Sequence, residues 1–344
     1  MNRWFTVALG ITLFASNIGI DSVGADEVQP NDTAAAELLL IVGAGGNEEY
    51  AAEFAETADQ WKRHVESTSV KLHPIGDSTL AGTPDREQLK SWIAEADRVT
   101  STPLWIVLIG HGTFAQNVAK FNLRGPDFSA TELAEWIKPL DRPLVIVNGA
   151  SASGPFINAL SAPGRVIVTA TQSGSEQNYA RFGRYFAEAI GSLDADLDHD
   201  DEVSVHEAFL KANAAVKEFY DTEARISSEH ALIDDNGDGL GTSFKAFRRN
   251  IPSIAAKPDS QLDGRRAAKM TLFAAVNQAP LLPEESQLRD AIESEIETLQ
   301  SQKETMAETA YYEQLETRML RLAKIYQAAE ERQNASKKAT KSVP

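Results

Sequence analysis

Runs of apolar, largely β-branched residues recur along the chain and constrain its fold more than any other feature. Four of them end in glycine or small residues, namely ELLLIVG (37–43), PLWIVLIG (103–110), PLVIVNG (143–149) and RVIVTAT (165–171). A strand that is apolar throughout must be covered on both faces, which is typical of parallel sheets. Because segments with helical spacing separate these runs, we expect an α/β fold with a doubly wound, mostly parallel sheet.

The other predicted elements fit between these strands. A further strand is predicted at 69–75, and helices are predicted at 47–67, 84–98, 129–137 and 178–191. The predicted α/β domain covers residues 37–250. Ligands of such sheets bind at the carboxyl ends of the strands, so chemistry is expected there. These ends are Gly43, Gly110, Asn148 and Thr171.

The first residues have the pattern of a secretory signal. Arg3 precedes a short apolar run, and Val23 and Ala25 supply the small residues of a cleavage site. We expect residues 1–25 to be removed, followed by a spacer at 26–36, and the protein to be secreted or periplasmic. The alternative is an uncleaved N-terminal anchor. After removal of the signal, no membrane span is expected.

Composition excludes several function classes. The chain has no cysteine, so neither disulfides nor cysteine-based chemistry are available. Its formal net charge is −17. Such an acidic surface repels nucleic acid and anionic membranes, and it is compatible with divalent cations.

The C-terminal region has a different texture. A linker is expected at 251–283, followed at 284–333 by a segment without glycine or proline. This segment predicts a coiled-coil-like long helix or a helical hairpin, and the thinning of apolar residues between 303 and 310 favours two halves that fold back or dock on the domain. A disordered tail is expected at 334–344. The predicted apolar stripe contains Leu288, Ile292, Ile296, Leu299, Tyr312, Leu315, Met319, Leu322 and Tyr326.

Two of the strand ends carry side chains that catalysis uses. His111 lies between two glycines after the strand 103–110, and Ser151 follows the strand 143–149. A histidine at such a place can act as a general base, and a serine in a small-residue loop can act as a nucleophile. If these strands are neighbours, both residues reach one sheet edge. The alternative is that both are structural loop residues.

These motifs resemble the caspase and legumain clan of cysteine peptidases. The His-Gly pair at 111–112 and SASG at 151–154 carry the resemblance. Three later blocks are similar to bacterial exported legumain-like proteins of that clan, and the resemblance covers about residues 36–245. The blocks are FNLRGPDFSATELAEWI, VIVTATQSGSEQNYARFGRYFAEAI and ADLDHDDEVSVHEAF.

The resemblance implies a caspase-like fold with His111 as base, Gly112 as donor of an oxyanion N–H and the nucleophile at Ser151. The nucleophile of the clan is cysteine, and serine replaces it here. A hydroxyl needs far stronger base assistance than a thiol. We therefore expect a pseudoenzyme that serves as a binding or scaffold protein, for which a protein or peptide ligand is suitable. The alternative is a serine-dependent peptidase that uses Ser151.

A serine esterase is an alternative from another class. GASAS approximates the nucleophile motif of esterases, with Ser153 in place of its last glycine. The base would then be one of the later histidines, His199, His206 or His230. The glycines at 43–46 form an incomplete dinucleotide motif, which makes nucleotide binding a weak alternative. The sequence does not indicate an oligomeric state.

An acidic loop at 196–207 has the spacing of a calcium-binding loop. Carboxylates at places 1, 3, 5 and 12 gather hard oxygens around one cation. Two further ligands are expected, the Glu202 carbonyl at the seventh place and Ser204 at the ninth. Asp201 stands where glycine is usual. We expect calcium bound by Asp196, Asp198, Asp200, Glu202, Ser204 and Glu207, with a solvated acidic turn as the alternative.

A second acidic loop, DDNGDGLG at 234–241, starts in the same way. Its twelfth place is Lys245 rather than an acid, so we expect an incomplete calcium loop there.

Overall fold

The computed structural model describes residues 34–66, 68–76, 82–248, 251–257, 260–273, 279, 281–303 and 305–341. The predicted signal at 1–25 and residues 26–33 of the spacer lie outside the described residues, so neither is tested. Within the described part, no helix is both long enough and apolar enough to cross a membrane.

The elements alternate along the first part of the chain as the apolar runs predict, with ends that differ by a few residues. The strands are β1 Ala36–Val42, β2 Val70–Ile75, β3 Leu104–Ile109, β4 Gly112–Ala115, β5 Val118–Phe121, β6 Phe128–Ser129, β7 Leu144–Asn148, β8 Arg165–Thr169, β9 Leu232–Asp234, β10 Thr242–Ser243, β11 Phe247–Arg248 and β12 Ile251–Pro252. The helices are α1 Glu48–Val65, α2 Asp85–Glu95, α3 Ala130–Ile137, α4 Pro155–Leu160, α5 Phe182–Ile190, α6 Val205–Thr222, α7 Pro283–Ser301 and α8 Glu308–Lys341.

The main sheet has seven strands in the order β10-β9-β8-β7-β3-β1-β2. The pairs from β8 to β2 are parallel, and β9 and β10 are antiparallel additions at one edge. The apolar runs predict the parallel part. They do not predict the two added strands, which are short and lie in the acidic segment. The other edge is β2, which contains Pro74.

The core lies on both faces of this sheet because successive side chains of a strand point to opposite sides. Alternate residues of β3 show the division: Trp105 and Val107 pack in the cluster formed with helices α1, α5 and α6. Ile106 and Leu108 pack in the cluster formed with α2, α3 and α4. The prediction of a doubly wound, mostly parallel α/β fold is confirmed.

Helix α3 begins as its sequence predicts. The Ser129 hydroxyl accepts from the Glu132 N–H, and the Glu132 carboxylate accepts from the Ser129 N–H, which completes a capping box. Strands β4, β5 and β6 form a small antiparallel sheet immediately after β3. This small sheet brings Gly112 back toward the end of β7.

The C-terminal helices α7 and α8 pack against each other as a hairpin. Ile292 and Leu299 of α7 are buried, as are Tyr311, Ile325 and Ala329 of α8. Ion pairs reinforce the pairing: Arg332 Nη2 lies 2.7 Å from Glu285 Oε2, and Arg321 Nη1 lies 2.8 Å from Glu295 Oε2.

Two predictions for this region are wrong in detail. The predicted stripe is displaced by one residue on α8, because Tyr311 and Ile325 are buried while Tyr312 is exposed and Tyr326 only half-buried. Leu288 and Met319, also placed in the stripe, are exposed. The expected disordered tail at 334–344 is helical as far as Lys341, since α8 continues to that residue.

The Lys269 ammonium donates to Ser294 and joins the linker to α7.

Candidate functional site

The ends of β3 and β7 bring His111 and Ser151 to one edge of the sheet. The two strands are parallel neighbours, with Leu108 opposite Asn148. Each strand then enters a glycine-containing loop, at Gly110 and at Gly149. The expected meeting of the two loops therefore occurs, and their contacts decide what the side chains can do.

The Ser151 hydroxyl is bonded to the backbone of a single glycine. Its Oγ accepts from the Gly112 N–H at 3.2 Å and donates to the Gly112 carbonyl at 3.1 Å. Ser151 is only 3% exposed. A Cβ at residue 112 would lie 2.1 Å from the Ser151 carbonyl oxygen, so this approach requires glycine. The Gly112 N–H, which the resemblance assigns to an oxyanion, points to the serine hydroxyl.

The His111 imidazole lies among aromatic rings. Its centroid is 4.7 Å from Tyr50, 5.0 Å from Phe54 and 6.1 Å from Tyr179. Burial lowers the pKa of His111 below its usual 6.5, and a hydrogen bond to the Gly45 backbone partly opposes this shift. Among the described residues, no hydrogen bond joins this imidazole to Ser151, and no carboxylate contributes to its pKa.

Ser153 belongs to a buried polar network. Its Oγ lies 3.2 Å from Thr171 Oγ1 and accepts from the Thr171 N–H at 3.2 Å. Ser153 is fully buried. The hydroxyl ties the loop after β7 to the loop after β8, which is a structural task. An incoming acyl group cannot reach it without opening the loop.

The three later histidines occupy three different surroundings. His206 is buried on α6 and contacts the Phe247 ring at 4.7 Å. His199 is exposed in the acidic loop, with a left-handed φ of 65°. His230 bonds through Nδ1 to Glu176 Oε1 at 2.6 Å. None of them has a hydrogen bond to Ser151 or to Ser153 in the described part of the chain.

The pairing of Glu176 with His230 is a feature that sequence reasoning missed. The Glu176 carbonyl accepts from the Ala152 N–H at 2.7 Å, next to Ser151. Its carboxylate accepts from the N–H groups of Gln172 and His230. Glu176 therefore fixes the shape of the loop that holds Ser151. No sequence signal joins residues that lie 54 positions apart.

The first acidic loop brings its carboxylates together. Asp196, Asp198 and Glu207 each offer one carboxylate oxygen, and these three oxygens lie within 4.8 Å of one another. Burial raises the pKa of Asp198 to about 7, with further contributions from Asp200, Glu207 and Asp196. Burial also raises the pKa of Asp200 to about 6. A cation would relieve this repulsion.

The backbone of the same loop curls around Asp196. The Asp196 carboxylate accepts from the N–H groups of His199, Asp200 and Asp201. Asp201, which occupies the glycine place, has a left-handed φ of 65°. This is the conformation that the sixth place of a calcium loop requires.

The end of the loop is also the start of helix α6. Ser204 and Glu207 form its capping box, in which Glu207 Oε2 accepts from the Ser204 N–H and hydroxyl. Glu207 Oε1 accepts from Leu197 N–H at 2.7 Å. Glu207 thus closes the loop through hydrogen bonds whether or not a cation is bound. Glu202 contributes its backbone at the seventh place, where its N–H donates to Asp200.

Comparisons with known proteins give similarity at the level of fold. No family model matches the chain. No curated protein matches it either. Among solved structures, the Drosophila initiator caspase Dronc is similar over 71% of this chain and 97% of that chain, with 12% identity and a TM-score of 0.41. Chaetomium thermophilum Raptor is similar over 51% of this chain and 18% of that chain, with 8% identity and a TM-score of 0.32.

Proposed function

We propose that this chain is an exported, caspase-like protein that does not hydrolyse peptide bonds and acts by binding a protein or peptide. The observation that carries the proposal is the pair of hydrogen bonds between the Ser151 hydroxyl and Gly112. Serine attacks a carbonyl only when a base removes its proton at that moment. Here the hydroxyl is buried and satisfied by backbone. Export is proposed from the signal-like pattern of residues 1–25 alone.

The state of the histidine supports the same conclusion. A catalytic histidine works when its second nitrogen is held by a group that stabilises the imidazolium, commonly a carboxylate. The His111 ring contacts Tyr50 and Phe54, and its hydrogen-bond partner is the Gly45 backbone rather than a carboxylate. Burial outweighs that hydrogen bond and disfavours the charged form of the ring. A proton taken from Ser151 would therefore produce a poorly stabilised cation.

We extend the proposal to calcium at the loop 196–207. Its donors are oxygens, which calcium prefers, and three carboxylates approach closely at its centre. The loop leads directly into the buried helix α6. Calcium there would stabilise the fold without taking part in a reaction.

A fluorophosphonate probe tests the catalytic part of the proposal. Full-length mature protein should show no turnover of peptide libraries or acyl esters and no labelling at Ser151. If labelling at Ser151 occurs and disappears in both Ser151→Ala and His111→Ala, the protein is a serine hydrolase. Labelling at Ser153 would instead favour the esterase alternative.

A single engineered thiol tests the geometry independently. Because the chain has no cysteine, Ser151→Cys introduces a unique thiol at the buried site. Ser175→Cys, on the exposed part of the neighbouring loop, is the matched control. We expect alkylation of the folded Ser151→Cys variant to be about a hundredfold slower than that of the control, with equal rates in denaturant. Equal rates in the folded proteins would contradict the buried geometry on which the proposal rests.

A further inference from the structure

The second acidic loop connects two antiparallel strands at the edge of the main sheet. Asp234 is the last residue of β9, and Thr242 begins β10. Lys245, the residue that makes this loop incomplete by sequence, is exposed. Among the described residues it makes no salt bridge with Asp234 or Asp238.

The side chains of the loop turn inward onto its own backbone. Asp234 Oδ1 accepts from the Gly237 N–H at 3.1 Å. Asn236 Oδ1 accepts from the Asp238 N–H, and Asp238 Oδ1 accepts from the Leu240 N–H, both at 2.8 Å. Each carboxylate thus uses one oxygen to fix the loop and leaves its other oxygen available.

The two remaining oxygens are buried without a partner. Neither Asp234 Oδ2 nor Asp238 Oδ2 accepts a hydrogen bond, and Asp234 is only 1% exposed. The Ser161 hydroxyl and the Gly239 N–H also interact with the Asp234 carboxylate, but no hydrogen bond of normal geometry from the described residues reaches Oδ2. No lysine or arginine in the described part forms a salt bridge with either carboxylate. A buried carboxylate oxygen that has neither a hydrogen bond nor a counter-charge is costly, so these two oxygens point to a cation as their partner.

Residues outside the loop hold it in this shape. Asp263 Oδ1 accepts from the N–H groups of Asp235 and Asn236. The Asp235 carboxylate accepts from the N–H groups of Gly264 and Ala267. These contacts keep the loop closed without an acid at its twelfth place. The site is thus preorganised, which lowers the entropic cost of binding.

We infer that the loop 234–241 binds a hard divalent cation, calcium in the first instance, through Asp234, Asp238 and the amide oxygen of Asn236. The donors are all oxygens, which favours calcium or magnesium over zinc. This inference is independent of the proposed function and of the first acidic loop.

Titration calorimetry of the full chain with calcium chloride, after removal of metal with a chelator, tests the inference. Asp234→Asn and Asp238→Asn each remove one charge with little change of shape, Asp198→Asn disables the first loop, and Asp221→Asn is the control on an exposed helix residue. We expect Asp234→Asn and Asp238→Asn to weaken one binding event about tenfold or more. Asp198→Asn and Asp221→Asn should leave that event intact.

Melting temperatures give a second readout that a structural role would not produce. In chelator, Asp234→Asn should melt higher than the natural chain because a buried, unpaired charge is gone. In calcium, the order should reverse because the cation is lost. If Asp234→Asn and Asp238→Asn leave every calcium-binding event of the natural chain unchanged, or if Asp234→Asn melts lower in both conditions, the inference is wrong. If Asp198→Asn changes no calcium-binding event, only the proposal of calcium at the loop 196–207 is wrong.

Discussion

At the scale of single residues, the hydrogen bonds of Ser151 show that a serine can lie where a nucleophile is expected and still be held by backbone groups. The sequence places His111 and Ser151 at one sheet edge, because strands that end side by side deliver their loops side by side. The direction of each side chain could not be predicted. It depends on Tyr50 and Tyr179, which come from distant segments and hold the imidazole.

His111 should titrate below its usual pKa of 6.5 because its ring is buried among aromatic side chains. The folded state then favours the neutral ring. Stability from this residue is present above the unfolded value and is lost as pH falls through the lowered pKa. Histidine NMR of the full chain measures this, with His111→Gln for assignment. A His111 pKa above neutrality would reveal a carboxylate partner and reopen catalysis.

Glu229 is a buried acid whose effect on stability has the opposite sign. It accepts from the Phe182 N–H and from Tyr220, and burial raises its pKa above 4.5. Its favourable contribution is complete below the unfolded pKa and is lost as pH rises through the raised one. Urea midpoints of Glu229→Gln relative to the natural chain should therefore be higher near neutral pH than at about pH 4, below the unfolded pKa. A reversed trend would contradict the assignment.

At the scale of elements, prediction succeeds where burial is two-sided. Strands β3 and β7 are buried along their whole length, and their continuous apolar runs predict buried strands directly. Helix α8 is different because its apolar and polar residues are less clearly separated. The predicted stripe contains Tyr312, whereas the structure buries its neighbour Tyr311. Which of the two is buried depends on the contact with α7. Strands β9 and β10 are too short for any periodicity to reveal them.

Calcium should raise the melting temperature through the loop 196–207, because binding to the folded state alone adds about 2.7 kcal/mol at a hundredfold excess over Kd. The informative variant is Asp198→Asn, since Asp198 belongs only to the carboxylate cluster whereas Glu207 also caps helix α6. We expect Asp198→Asn to lose the increase in melting temperature that calcium binding at the loop 196–207 produces. A full rise in Asp198→Asn, measured by calorimetry in chelator and in calcium, would leave only the acidic-turn interpretation.

The hairpin gives a matched pair of substitutions on one helix. Ile292 is 1% exposed and Leu288 is 49% exposed. Ile292→Ala should destabilise the hairpin by about 2–4 kcal/mol, because a buried side chain leaves a cavity. Leu288→Ala should cost less than about 0.5 kcal/mol. Hydrogen exchange of α7 and α8 measures both, and equal effects would place the α7 interface elsewhere.

At the scale of the whole molecule, the hairpin buries its apolar residues mainly within itself. Both core clusters of the sheet consist of residues that precede α7. The contacts between the hairpin and the rest include the bond from Lys269 to Ser294 and the proximity of Tyr326 to Asp200. The sequence predicts two halves that fold back on each other or dock on the domain. The pairing of α7 with α8, and the absence of their described residues from both sheet clusters, favour folding back as the main source of burial.

A chain that ends at Ala279 should therefore remain folded and soluble, since it retains every residue of the two sheet clusters. We expect its melting temperature to stay close to that of the full chain. Circular dichroism and sedimentation measure this. Aggregation of the shortened chain would show that the hairpin covers an apolar surface of the domain.

The two edges of the seven-stranded sheet have a consequence for aggregation. One edge is β10, only two residues long, and the other is β2, where Pro74 lacks an N–H and Lys71 is exposed. Short strands, proline and lysine at an edge prevent the backbone of another chain from adding a strand. At high concentration this sheet should resist fibril-like growth. Copies of the molecule are therefore not expected to associate by extending the seven-stranded sheet.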